Sequence, residues 1–325
     1  MEFPGMDFQP WNLMEGRAMN RRDALKTFGA VSGGGAVSAL AGWASAQRTA
    51  PDRPRRHTLR VAHLTDVHIA PEGPSEAGMA ACLRHIQGHS RGIDLILNGG
   101  DAIQDGGAAE APRMREQWRV WQKALREECR LPIEHCLGNH DLWGKKNSER
   151  LQGKAWAMDE LGLAQRFHSF DHAGWHFVVL DSVASQEDGY KARLDEEQIA
   201  WLRADLESTA KTTPILVLSH IPIVAACAFF DGDNEQSGNW VVPGAWMHID
   251  ARRIRDLFAK HPNVKVCLSG HIHLQDRVDY NGVTYLCNGA VSGNWWRGAY
   301  QGCSPGYGLL DLYDDGTFEH DYVTY

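Results

Sequence analysis

The sequence predicts an α/β sandwich. Three observations carry that expectation. From about residue 57, short runs rich in Val, Ile and Leu alternate with longer helical patterns. Each of the five clearest runs ends in a polar cluster, and the later segments turn antiparallel. The 325 residues are 43% hydrophobic and 23% charged, which describes a globular chain with ample core and excludes a disordered or coiled-coil one. No internal repeat or linker is visible, so residues 47–325 are expected to form one domain behind an N-terminal extension and signal segment, residues 1–46.

That first segment has its own logic. Arg21-Arg22 precede a modest apolar stretch from Thr27 to Ala46, diluted by Gly33, Gly34 and Gly35 and closing on the small-residue cleavage pattern Ala44-Ser45-Ala46. With Leu25-Lys26 it resembles a twin-arginine export signal, although Ala24 stands where a bulky apolar residue is usual. Met19 is well placed as the start. The resemblance implies passage through the twin-arginine export machinery to a periplasmic or secreted location. The stretch is too weakly apolar for a stable membrane span, so none is expected after processing. The seven cysteines are odd in number, and Cys136, Cys267 and Cys287 fall in apolar runs where Cys acts as a small hydrophobe. A Cys129–Cys136 pairing is left open.

Strands are expected over 59–65, 94–98, 133–137, 215–219 and 264–269, and helices near 76–90, 112–128, 195–209 and 250–260. The third helix opens on Asp195, a good N-cap, and carries Ile199, Leu202 and Leu206 on one face. Asn281-Gly282 and Asp314-Asp315-Gly316 read as hairpin turns between strand-like runs.

The strand ends carry the chemistry. The first strand leads into Asp66-Val67-His68, the second into Gly99-Gly100-Asp101 and the third into Gly138-Asn139-His140-Asp141. The fourth ends in His220 and the fifth in Gly270-His271-Ile272-His273. Open α/β sheets gather ligand groups at the carboxyl ends of their strands, so five such ends can converge on one point. His63, His85, His89, His135, His168, His172, His176 and His248 lie outside this pattern and are expected to be structural. Oxygen and imidazole donors without thiolate suit Fe, Mn, Co, Ni or Zn and exclude a thiolate-rich zinc site. Asp66, His68, Asp101, Asn139, His220, His271 and His273 are too many for one ion. They suffice for two ions sharing a carboxylate at about 3.5–4 Å. The formal net charge of −8 argues against a nucleic-acid or anionic-lipid partner, so an anionic substrate has to be held locally, by the metals.

These five blocks, in this order over residues 66–273, resemble the D-x-H, GD, GNH(D/E), H and GHxH pattern of the calcineurin-like metallophosphoesterases. The resemblance implies a four-layer α/β/β/α sandwich of two mixed sheets. It also implies that Asp66, His68 and His273 hold one metal, that Asn139, His220 and His271 hold the other, and that Asp101 bridges them. His140 would contact the phosphate, with Asn139, and protonate the leaving oxygen, and Asp141 would orient His140. The activity implied is hydrolysis of a small phosphate ester, a phosphodiester above all, by metal-activated hydroxide. A phosphomonoesterase and a non-catalytic metal-binding protein are the alternatives.

Departures narrow the family. Purple acid phosphatases carry Tyr three residues after the GD aspartate, where this chain has Gln104. The GDxVDRG arginine of protein Ser/Thr phosphatases is missing from Gly100-Asp101-Ala102-Ile103-Gln104-Asp105-Gly106. The bacterial phosphodiesterase-like branch remains. Residues 221–249, with Phe229, Phe230, Trp240 and Trp246, are expected to wall or cover the metals. Trp295 and Arg297 are candidates for gripping substrate. Gly302-Cys303-Ser304-Pro305-Gly306 matches a nucleophile-elbow motif, but Pro305 and the strand-like run after it make it a turn.

Overall fold

A computed structural model describes residues 54–325 except 108, 145, 146, 188 and 237. The export signal expected over residues 1–46 lies outside the described residues. The described chain forms one compact unit. Among its residues, no helix is long and apolar enough to cross a membrane.

In chain order the strands are β1 (His57–Leu64), β2 (Leu95–Asn98), β3 (Ile133–His135), β4 (His168–His172), β5 (Trp175–Leu180), β6 (Val183–Ser185), β7 (Tyr190–Ala192) and β8 (Ile215–Ser219). They continue as β9 (Glu235–Gln236), β10 (Asn239–Trp240), β11 (Val264–Ser269), β12 (Asp276–Tyr280), β13 (Val283–Cys287), β14 (Gly306–Tyr313) and β15 (Phe318–Thr324). The helices are α1 (Ser75–Gln87), α2 (Ala111–Glu128), α3 (Asn147–Leu161), α4 (Glu196–Ser208) and α5 (Ala251–Phe258).

Two mixed sheets form the centre, one ordered β15-β14-β1-β2-β3 and the other β12-β13-β11-β8-β5-β4. β1, β2 and β3 run parallel, as do β5, β8, β11 and β13. The central strands are apolar on both faces, and alternate residues enter different cores. Val61, Leu95 and Leu97 meet Leu216, Leu218 and Leu268 between the sheets. Ala62 and Ile96 face the other way, onto Met79, Leu83, Trp118 and Trp121 of α1 and α2. On the far side, Val178 and Val217 pack on Leu202 and Leu206 of α4 and Ile254 and Phe258 of α5. The order is therefore helix, sheet, sheet, helix, as expected. Asp195 caps α4, its Oδ1 accepting the Gln198 N–H at 2.9 Å.

The structure adds α3, the strand pair β4–β5 and the short pairs β6–β7 and β9–β10 to the expected elements, and it answers one open question. α3 contains Gly153, and a Cβ there would overlap the Trp143 backbone, so close packing needs a residue that weakens the helix signal. β5 reads WHFVVL and is buried throughout, a run too short for a periodicity argument. No disulfide joins Cys129 and Cys136, since both are free thiols, like the other five cysteines. The Gly302–Gly306 segment runs directly into β14, the turn that was expected.

Candidate metal centre

The metal-site residues all leave the carboxyl ends of strands, and the backbone bends hard to let them converge. Asp66, His68, Asp101, His271 and His273 all have left-handed φ, between 50° and 72°. Non-glycine residues adopt that conformation at a cost of about 1–3 kcal/mol, and it persists where surrounding contacts over-determine it. The fixing contacts are visible. Asp66 N–H donates to Gly100 O, His68 N–H to Asp101 O, and Gly270 N–H to His220 O. Gly138 and Gly270 allow the approach, because a Cβ at either would overlap Asp101 or the Thr65–Asp66 pair.

Two groups of donors result: Asp66, His68 and His273 in one, and Asp101, His220 and His271 in the other. Asp66 divides its oxygens. Oδ2 accepts from Thr65 Oγ1 at 2.7 Å and from His271 N–H at 2.8 Å. Oδ1 has no hydrogen-bond partner although buried, and lies 3.5 Å from His273 Nε2 and 3.8 Å from His68 Nε2. Asp101 divides in the same way. Its Oδ1 accepts the His140 backbone N–H at 2.7 Å, while Oδ2 lies 3.8 Å from His68 Nε2 and 3.3 Å from His220 Nε2. That oxygen faces one imidazole of each group, the position of a bridging ligand. Asn139 Oδ1 joins the second group, 3.0 Å from His220 Nε2.

This donor set fits metal ions. The Nε2 atoms of His68 and His273 lie 3.1 Å apart. Two imidazole nitrogens bound at about 2.1 Å to one ion, about 90–109° apart, would be separated by about 3.0–3.4 Å. Two of the imidazoles have their opposite ring nitrogens held as ligand imidazoles require, His273 Nδ1 by Gly293 O at 2.7 Å and His220 Nδ1 by Gly99 O at 2.8 Å, whereas His68 Nδ1 is buried without a partner. His271 Nε2 and Asp66 Oδ1 are orphaned buried atoms of this kind. Such atoms cost free energy unless something occupies the space between them.

The electrostatics of the two carboxylates and of His271 suit cation binding. Burial pushes the Asp66 and Asp101 carboxyls up, but the imidazoles around them outweigh it and hold both well below the usual carboxylate range. Burial lowers His271 to about 3, leaving it neutral and able to bind a cation. His220 moves the other way, to about 9, because the pull of Asp101 exceeds the burial penalty.

Around this centre stand His140 and Trp295. Trp295 stacks on His68 with centroids 3.8 Å apart and planes at 26°. The His140 ring meets His68 and Trp295 edge-on, at 4.9 Å each. Arg297 is exposed and its side chain makes no hydrogen bond or ion pair among the described residues. Asp141 is reassigned. Its Oδ2 accepts the N–H groups of Gly138 and Asp101, and its Oδ1 those of Ala102 and Ile103. The carboxylate therefore ties two metal-binding loops together and does not orient the His140 ring.

The 221–249 insertion forms part of the surrounding wall. Asp231 accepts a hydrogen bond from Tyr300 Oη, and the Tyr300 ring lies 6.0 Å from that of His273. Phe230 and Trp240 project outward, 64% and 50% exposed, and do not cover the metals. Tyr190 on β7, 6.2 Å from the His271 ring, was not singled out in the sequence; it sits in a short hairpin with no motif to mark it.

Two adjacent groups of oxygen and imidazole donors, with Asp101 Oδ2 facing both and a histidine beside them, could hold two metal ions. The sequence profile of the calcineurin-like phosphoesterases matches residues 59–275, and the chain belongs to that family. Its relatives include the 3',5'-cyclic adenosine monophosphate phosphodiesterase CpdA of Escherichia coli K12, 26% identical over 271 residues, which span 80% of this chain and 87% of that protein. The 3',5'-cyclic-nucleotide phosphodiesterase alr5338 of Nostoc sp. is 26% identical over 277 residues, covering 80% and 90%. In fold, the chain is similar to a dimetal phosphatase from Danio rerio at a TM-score of 0.57 and 16% identity, over 83% of this chain and all of that one.

Proposed function

We propose that this metallophosphoesterase is an exported phosphodiesterase whose substrates include cyclic nucleotides. The observation that carries the reading is the placement of Asp101 Oδ2 between His68 and His220, with His140 beside it. The names of the Escherichia coli and Nostoc relatives support the diester class. Asp66, His68 and His273 would hold one ion, Asn139, His220 and His271 the other, with Asp101 shared. When bound, such ions supply an activated water and neutralise charge on the phosphoryl oxygens.

The chain's own residues do the rest. Asn139 presents its Nδ2 amide, which makes no hydrogen bond among the described residues, to a phosphoryl oxygen. His140 is anchored through its backbone to Asp101, so its ring is held against the centre while a ring nitrogen delivers a proton to the leaving alkoxide oxygen. Trp295, covering His68, shields the first group of ligands from bulk water. The export part rests on Arg21-Arg22 and Ala44-Ser45-Ala46 alone. It is checked by the location of the mature protein and by an N-terminus at Gln47, both of which an Arg21→Lys/Arg22→Lys pair should abolish.

The activity is tested by paired rates on p-nitrophenyl phosphate and bis-p-nitrophenyl phosphate with metal-replete protein, with and without chelator. Faster, chelator-sensitive diester hydrolysis is expected. A preference for the monoester would make it a phosphomonoesterase, and no hydrolysis with two metals bound would leave a metal-binding protein without this activity.

A further inference from the structure

We propose that the cleft beside His140 is a nucleobase subsite, in which Gln104 reads the edge of an adenine-type base and Trp295 stacks on its ring. The inference rests on the phosphodiesterase reading and names the leaving group that the site accepts. The cleft measures 460 Å³, within the range of about 300–1,000 Å³ typical of small-molecule sites and far more than a phosphoryl group needs. His140 and Trp295 form part of its wall. A group bonded to the oxygen that His140 protonates would therefore extend into this space.

Gln104 lies three residues beyond the bridging Asp101 and lines the cleft. Its backbone is fixed, with the N–H donating to Ile69 O at 3.0 Å, but its side-chain amide makes no hydrogen bond among the described residues. The neighbouring amide is committed elsewhere. Gln117 Oε1 accepts the Asp105 N–H and its Nε2 donates to Asp105 O, both at 3.0 Å, which also stiffens the loop carrying Gln104. Gln104 is thus the carboxamide that remains, and a carboxamide matches the adjacent donor and acceptor of adenine in a two-bond pair.

Trp295 supplies the flat surface. One indole face is covered by His68, and the ring lines the cleft beside His140. Its φ of 52° shows a backbone held in place against its own preference. Arg113, the cation of the cleft, is paired with Glu72, so its charge is already answered. The surroundings favour a neutral, planar, hydrogen-bonding group over an anionic or aliphatic one such as glycerol.

Two measurements test this, one of them independent of turnover. Saturation-transfer NMR on the protein without added metal should detect binding of adenosine but not of glycerol. The Gln104→Ala variant should weaken adenosine at least fivefold, the low end expected for losing a paired two-bond contact. In the metal-replete enzyme, the ratio of kcat/KM on 3',5'-cyclic AMP to that on bis-p-nitrophenyl phosphate should fall about tenfold in the same variant. Because it is a ratio, it is insensitive to the fraction of protein correctly folded. Absent adenosine binding, or an unchanged ratio, overturns the subsite even if diesters are hydrolysed. Adenosine binding that depends on Gln104, in a protein that hydrolyses no diester, would uphold the subsite and overturn the phosphodiesterase reading.

Discussion

Replacing His140 by Ala separates the roles of metal binding and proton transfer. The backbone N–H of residue 140, which holds Asp101 Oδ1 at 2.7 Å, survives the substitution. The donor groups around Asp66 and Asp101 do not use the ring, so both metals should remain. The substitution removes the pair of edge-on contacts with His68 and Trp295. At about 0.5–1.5 kcal/mol each, their loss costs about 1–3 kcal/mol of stability, too little to unfold a domain with two extensive sheets. The kinetic cost depends on the leaving group. An alkoxide, as in 3',5'-cyclic AMP, needs a proton, and loss of a general acid should slow its release about 10²–10⁴-fold, equivalent to about 2.7–5.5 kcal/mol. p-Nitrophenolate leaves without a proton, so bis-p-nitrophenyl phosphate should suffer far less. The assay is kcat on both substrates together with metal content per chain. Equal losses on the two substrates, or loss of metal, would refute the assignment of His140 as proton donor.

The geometry sets three further outcomes. Asp141→Asn puts an NH₂ group where one carboxylate oxygen accepts two buried N–H donors. Two unsatisfied donors at about 1–3 kcal/mol each predict a loss of about 2–6 kcal/mol and a lower Tm, whereas a fall in kcat at unchanged Tm would restore an orienting role. Gly138→Ala places a methyl group onto Asp101, so the variant should lose metal from both sites; two metals per chain by elemental analysis would contradict the shared-ligand geometry. His176 lies between Asp171 at 2.7 Å and Asp205 at 2.9 Å. Burial opposes its charge, but the two carboxylates outweigh it and raise its pKa above 6.5. The stabilisation is therefore complete below pH 6.5 and fades as pH rises through the folded-state value. His176→Phe should flatten that part of the denaturant-stability profile, and an unchanged slope would show that the ion pairs contribute nothing.

Much of the centre was legible in the sequence because its residues sit where local rules operate. Each of the five strand runs is short, apolar and succeeded by an Asp, Asn or His, so strand ends and donors could be read together. The Asn281-Gly282 turn and the Asp195 cap were equally local, and both are found. Asp141 shows where such reading stops. Adjacency to His140 suggested that the two side chains interact, yet the fold turns the carboxylate inward, onto backbone groups of a loop 38 to 40 residues away. Trp295 is a similar case: its chemistry was apparent, but its stacking on His68 joins positions far apart in the chain.

The sequence by itself determined the alternation of elements, the residue types at the strand ends and, through the family resemblance, an expected division of seven candidate donors. Strand propensity, turn chemistry and ligand preference are properties of a few neighbouring residues. Only the tertiary structure decided that those donors converge, which oxygen of Asp101 faces an imidazole of each group, and which carboxamide near His140 stays uncommitted. Those depend on the register of two packed sheets and on left-handed backbone at five donors. Such a conformation is imposed by hydrogen bonds from distant loops, and no local pattern encodes it.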